Sequence, residues 1–178
     1  MPKLTPAQTA QCDAPLSLEE LRAALHSSPD NKTPGIDGLP ANFYKVFAPQ
    51  LLPIVLDVFN ECIVTGILPP SVRKAVIVLL YKKGNASMLG NYRPLSMLTS
   101  DYKLLAKLLS KRLDLVIDVL IHPDQTGFIK RRVIQENIQL VRGIIQRHRL
   151  DDIPGLLLFL DQYKAFDTML WDYTGKIL

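Results

Sequence analysis

Cysteine is nearly absent: Cys12 and Cys62 are the only two in a chain of 178 residues. They lie far apart, so neither a disulfide framework nor a metal-ligand spacing follows from them, and a reducing compartment is expected. Long hydrophobic runs are missing too. The longest, such as Ala75–Tyr81, fall well short of the ~20 apolar residues a membrane-spanning helix needs. The opening Met1-Pro-Lys-Leu-Thr-Pro6 has no apolar stretch of the signal-peptide kind. An intracellular chain without a membrane partner is expected, and the nucleus is compatible with that. There is no internal repeat and no low-complexity tract. Strong charge of either sign is also lacking. Lys and Arg number 21 against 17 Asp and Glu, giving a net charge of +4. Such a mild basic excess permits nucleic acid as a partner without requiring it. No oligomeric state follows from any of this.

What is present is enough apolar sequence, 48%, to bury a core for one domain or for part of a larger one. Residues 1–16 carry Pro2, Pro6 and Pro15 with little pattern and read as a linker. Ser17-Leu-Glu-Glu20 matches a capping box, a hydroxyl followed three residues later by Glu. A helix is expected to run from there and to stop before Ser28-Pro29. Residues 30–40 form a Pro/Gly loop. A second helix fits Gln50–Val64, with Leu51, Val55, Phe59 and Cys62 on one face and Gly66 as its C-cap. Ala75–Tyr81 reads as a strand buried on both faces. Tyr92–Leu98 reads as an extended partner that Pro94 would confine to an edge. Two more helices are expected at Ser100–Ile121 and Val133–His148. The first carries Lys103, Lys107 and Lys111 outward, and the second carries Ile134, Ile138, Val141 and Ile145 inward. A third strand is expected at Leu156–Leu160. Helices and strands mix without regular βαβ alternation, which favours an α+β fold.

Several residues can carry chemistry. The apolar run Leu156–Leu160 leads directly into Asp161. A carboxylate at the end of a buried strand is costly unless its charge has a partner. Mg²⁺ is a hard ion held by one or two carboxylates together with substrate phosphates, and Asp161 could supply one such ligand. It could equally cap a turn. Arg93, in Asn91-Tyr-Arg-Pro-Leu-Ser96, offers a planar fork of donors suited to phosphate, or it is a solvated arginine beside a turn. Residues 130–149 hold Lys130, Arg131, Arg132, Arg142, Arg147 and Arg149 against the single acid Glu136. That strip suits a phosphate backbone, and it would also serve as a solvated helix face.

These segments together resemble the LINE-type (non-LTR retrotransposon) reverse transcriptases. Asp161-Gln-Tyr-Lys-Ala-Phe-Asp167, followed by Trp171, is similar to that family's first palm motif. Asn91–Ser96 is similar to its second fingers motif, and Lys82-Lys83-Gly84 to the basic end of its Ile-Pro-Lys-Lys-Gly stretch. Lys32-Thr-Pro-Gly-Ile-Asp-Gly-Leu-Pro40 resembles its opening loop. His122-Pro-Asp-Gln-Thr-Gly-Phe128 resembles the segment before its template-contacting helix. The resemblance runs over about residues 17–178 with the motifs in order. Tyr81 stands where the family has Pro, and Lys130-Arg131-Arg132 stands where it has Pro-Gly-Arg.

The resemblance implies part of a right-hand polymerase fold, with a linker at 1–16, fingers at 17–150 and the start of the palm at 151–178. It implies that Asp161 binds the catalytic metal ions, Mg²⁺ in the intact enzyme. Phe166 would pack under the incoming sugar and exclude a 2′-hydroxyl. Arg93 would hold the triphosphate, with Lys82 or Lys83 nearby. An RNA template, a DNA primer and dNTPs would be the partners. The family's later carboxylates, from an aromatic-Ala-Asp-Asp hairpin, do not occur among these residues. A polypeptide of this length is therefore expected to be inactive by itself. The rival reading is a non-catalytic remnant that binds nucleic acid through its basic surface.

Overall fold

The computed structural model describes residues 3–162, 168–170 and 172–173. It divides into two compact units, 1–125 and 126–178. Unit one is a helical cluster with a two-stranded ribbon. Helix α1 (Pro6–Asp13) starts with a capping box between Thr5 and Gln8 and has Pro6 in its first turn, where a missing N–H costs nothing. This helix occupies the lead-in that reads as patternless in sequence. It buries no residue. Helix α2 (Leu18–His26) has the expected Ser17–Glu20 box and buries Leu21, Ala24 and Leu25. Helix α3 (Ala41–Val46) and helix α4 (Ala48–Thr65) follow, and Gly66 closes α4 with φ 69°. Only glycine takes that left-handed conformation without strain. The buried face of α4 runs through Leu52, Phe59 and Cys62, with Leu51 and Val55 half-buried. Helix α4 is also long and apolar enough to cross a membrane by those two measures. It nevertheless carries Asp57 and Glu61 and contributes Leu52 and Phe59 to the core.

The expected single helix at 100–121 is two: α5 (Ser100–Leu113) and the short α6 (Ile117–Leu120). Between them Leu115 N–H bonds Arg112 O and Val116 N–H bonds Leu113 O, a tightened turn that carries Val116 into the interior. Leu16, Leu21, Ala24, Leu25, Tyr44, Leu52, Phe59, Leu104, Leu105 and Leu108 form one core cluster. Burying each large side chain there stabilises by roughly 1.5–3 kcal/mol.

Three charged residues fasten this cluster. Arg112, buried at the end of α5, donates to both carboxylate oxygens of Glu20 at 2.8 Å. It donates as well to the carbonyls of Cys12, Ala14 and Pro15, tying the lead-in to the core. Lys107 and Lys111 donate to the carbonyls of Ser27 and Ala23 at the C-terminal end of α2. These lysines were expected to face outward. They instead donate to carbonyls at that helix end, where its dipole favours cations.

Strands β1 (Ala75–Tyr81) and β2 (Tyr92–Leu98) pair antiparallel, Ala75 opposite Leu98 and Tyr81 opposite Tyr92. The expectation that β1 is buried on both faces is not met: every residue of it is exposed. A two-stranded ribbon has no second layer among the described residues, and an apolar run reads the same whether or not one lies over it.

In unit two, α7 (Ile134–Leu150) forms as expected but buries no residue. Ile134 and Ile138 are 65% and 46% exposed. The expected strand at Leu156–Leu160 is absent: the segment has no regular secondary structure, pairs in no ladder, and is exposed throughout. A strand is defined by its neighbour, and no described segment pairs with this one. The mixed helix-and-strand composition agrees with a partial α+β domain.

Candidate nucleotide and nucleic-acid site

The ribbon places two of the site residues together. Lys82 N–H bonds Asn91 O at 2.9 Å, so the ladder runs one pair beyond β1. Side chains on a strand alternate between faces, and directly opposite residues share one. Arg93 lies opposite Leu80, and Lys82 is two residues on from Leu80. Lys82 and Arg93 therefore share a face, while Lys83 falls out of that alternation. The same bond fixes which pairs exchange hydrogen bonds. It leaves Tyr81–Tyr92 and Leu79–Pro94 as the closer, non-bonded pairs. Pro94 thus loses no ladder bond, and the rings of Tyr81 and Tyr92 meet at 5.6 Å, edge to face.

The loop after β1 is held in shape by the residues that flank it. The Tyr81 hydroxyl donates to Gly84 O at 2.5 Å, and the Tyr92 hydroxyl to Ala86 O at 2.9 Å. The Asn91 amide donates to Asn85 O at 2.8 Å. Gly84 has φ 95°, and a Cβ there would lie 2.8 Å from Asn91 Nδ2. The tyrosine that stands in place of the family's proline is thus a clamp on the loop. Sequence reasoning missed this role, though the paired Tyr81 and Tyr92 flanking a Gly-Asn turn were visible.

The opening loop packs closely as well. A Cβ on Gly35 would lie 2.6 Å from Thr99 N, so glycine is what lets this loop meet the junction of β2 and α5. Ser100 Oγ donates to Leu39 O at 2.6 Å from the same junction.

At the end of unit one, Gln125 N–H bonds His122 O at 3.0 Å. Unit two carries the other site residues. Thr126 is buried and accepts from Asn137 Nδ2 at 3.1 Å, which ties the start of that unit to the first turn of α7. Phe128 and Arg131 have φ 65° and 67°. Arg131 therefore keeps the left-handed backbone that glycine favours, at the position where the resembling family has Gly. Lys130, Arg131 and Arg142 are exposed, and Arg132 is half-buried. Arg147 is tied to Asp151 at 2.5 Å, so it is partly withdrawn from the basic strip.

Asp161 is exposed directly after the Leu156–Leu160 segment. Phe166 lies outside the described residues. Among the described residues no group of three or more His, Cys, Asp or Glu could hold a metal ion. Around Asp161 the donors among the described residues fit one carboxylate ligand of a metal, not a complete site.

The reverse transcriptase (RNA-dependent DNA polymerase) family matches residues 80–176, which include Lys82, Arg93, the basic strip and Asp161. The transposon TX1 149 kDa protein of Xenopus laevis is 39% identical over 173 residues, covering 97% of this chain and 13% of that protein. The probable RNA-directed DNA polymerase from transposon BS of Drosophila melanogaster is 30% identical over 94% of this chain and 19% of its own length. The RNA-directed DNA polymerase from mobile element jockey of the same organism is 29% identical over 88% and 18%. The chain thus spans less than a fifth of these relatives' length. With its motifs in order and the family match across more than half its length, the chain belongs to the reverse transcriptase family, of the non-LTR retrotransposon kind.

Proposed function

We propose that this chain supplies the nucleotide-gripping fingers and the first metal-binding carboxylate of an RNA-directed DNA polymerase. In the complete enzyme a primer 3′-hydroxyl would attack the α-phosphate of a dNTP paired to RNA. The observation that carries the reading is the shared face of Lys82 and Arg93 on a ribbon whose loop is pinned by two tyrosines. Phosphoryl transfer depends on positioning and charge neutralisation more than on covalent chemistry from the protein. Two cations on one rigid face can hold a triphosphate, with the planar fork of Arg93 gripping two oxygens. Asp161 would hold Mg²⁺, which supplies charge neutralisation at the reacting phosphate. Phe166 would exclude a 2′-hydroxyl. Residues 1–16 would lead into fingers at 17–150, and the palm would begin at 151. The exposed Lys130, Arg131 and Arg142, with Arg132, would follow the template backbone.

The test is primer extension on an RNA template. Among the described residues Asp161 is the one carboxylate assigned to the metal, and two-metal chemistry needs more to hold ions ~3.5–4 Å apart. The 178-residue polypeptide should extend no primer. In a chimera with the remaining palm and thumb of a relative, Asp161→Ala should abolish extension. Lys82→Ala and Arg93→Ala should each raise the KM for dNTP by about tenfold or more, as expected for one lost charge-assisted bond. Lys83→Ala should change it little. Extension that survives Asp161→Ala would overturn the metal assignment. Equal effects of Lys82→Ala and Lys83→Ala would overturn the shared-face argument. The non-catalytic remnant reading predicts no activity even in the chimera.

A further inference from the structure

A cavity of about 140 Å³ opens between the end of α2, the loop after it, α3 and the start of α5. Lys32, Lys103, Lys107 and Tyr44 line it, with no acid in the lining, while the Ser28 and Ser100 hydroxyls beside them already donate to the carbonyls of Ala24 and Leu39. Two of the lysines are held in place: Lys103 Nζ donates to Thr33 O at 3.3 Å, and Lys107 Nζ to Ser27 O and to Ser28 Oγ. An ammonium has three donors, so Lys103 retains two beyond this bond. Lys45 and Lys111 converge on the same helix end, and of these Lys45 is paired, with Asp30 at 2.6 Å. The positive charge is crowded. Burial, then Lys111 and Lys45, push the Lys107 ammonium below its ordinary value. Tyr44 is pushed up to about 12 by burial, with Asp101 and Asp37 adding to the effect. Its hydroxyl therefore stays protonated and able to donate at neutral pH.

We infer that this cavity binds a phosphate group, held by Lys32, Lys103 and Lys107 and by the Tyr44 hydroxyl. Three ammoniums, two of them pre-positioned, and one neutral donor around a small recess, with no carboxylate in the lining, suit a compact multivalent oxyanion. Leu25, Pro29, Ala41 and Leu104, with the lysine stems, supply the apolar wall. The inference stands apart from the polymerase reading, since neither Lys82, Arg93 nor Asp161 takes part.

Inorganic phosphate titrated into the 178-residue chain, against chloride at equal ionic strength, tests it. Saturable binding is expected, with amide NMR shifts confined to residues near Ser28, Thr33 and Ser100. The pair Lys32→Gln with Lys103→Gln should weaken binding by about tenfold or more. Lys103→Arg, which keeps the charge, should retain it. Lys74→Gln, which removes an exposed cation outside the cavity, should leave it unchanged. A short oligoribonucleotide that displaces the phosphate, and that itself weakens in the double variant, would identify the occupant as a nucleic-acid phosphate. Phosphate binding with no displacement would identify a free phosphate. Binding that never saturates, shifts spread over the surface, or a double variant that binds as the wild type does would each overturn the inference. Loss of binding in both Lys103→Arg and the double variant would overturn it as well, because charge would then not be what matters.

Discussion

Arg112 shows how much one side chain can hold. Its guanidinium satisfies Glu20 and three carbonyls of the lead-in, and the hydrogen bond from Arg112 holds the Glu20 carboxyl down, from its usual 4.5 to about 2. A carboxylate with a depressed folded pKa adds stability that is complete above its unfolded value and is lost as pH falls through the folded one. The contribution should thus fade between pH 4.5 and about 2. Thermal melts followed by circular dichroism should show the wild type losing stability across that window. Glu20→Gln should be weaker at pH 7 and flatter below it. Arg112→Lys cannot reproduce the fork, and should cost about 2–3 kcal/mol as charged hydrogen bonds are lost. Arg131 makes the opposite case. Its φ of 67° costs an L-residue roughly 1–2 kcal/mol, while Gly there would add roughly 0.4–1 kcal/mol of unfolded-state freedom. Arg131→Gly should therefore slow local opening of the turn slightly, read by hydrogen exchange at residues 127–132. Arg131→Ala removes the same charge and keeps the strain, so it should not slow opening; if it does, charge and not backbone conformation governs the turn.

At the scale of elements, the ribbon depends on its loop. Replacing Tyr81 by Phe removes the hydroxyl that donates to Gly84 O, at a cost of about 1 kcal/mol. Amides 83–88 should then exchange several-fold faster while β1 and β2 stay paired. Unchanged exchange would mean that Tyr92 and Asn91 hold the loop alone. What was legible in the sequence follows the range of the interaction that makes it. Ser17-Glu20 and Gly66 are local signals, and both end their helices as read. Thr5 and Gln8 carry the same capping signature as Ser17 and Glu20, yet the prolines around them obscured α1. The lysines of α5 were expected to face outward, but Lys107 and Lys111 donate to carbonyls instead. Their acceptors on α2 lie some eighty residues away in sequence, so no local pattern announces them. The burial of β1 was misjudged for the same reason: an apolar run specifies a strand but not what covers it. The site motifs were legible as motifs. The shared face of Lys82 and Arg93 needed the pairing register, which one backbone bond supplies.

For the whole molecule, the two units differ in what holds them. The core cluster lies entirely within unit one, drawn from the segment before α2 and from α2, α3, α4 and α5. In unit two, α7 buries no residue, and Leu156, Leu158, Phe159 and Leu160 are 92%, 67%, 79% and 85% exposed. Apolar surface left open in this way contributes nothing to folding and favours association between chains. Helices with little tertiary packing are marginal in water, and α7 buries no residue while Asn137 ties its first turn to Thr126. Unfolding of the 178-residue polypeptide should therefore not be two-state. Slow amide exchange should be confined to α2, α4 and α5, where opening approaches the global free energy, and α7 should exchange far faster. Calorimetry should give a broad transition whose van't Hoff enthalpy falls below the calorimetric one. Leu108→Ala, which empties a fully buried site, should cost about 2–5 kcal/mol. It should lower protection across α2, α4 and α5 together and leave α7 unchanged. Uniform protection over both units, lost together in Leu108→Ala, would mean that α7 shares the core's cooperativity and that the separation of the two units is wrong.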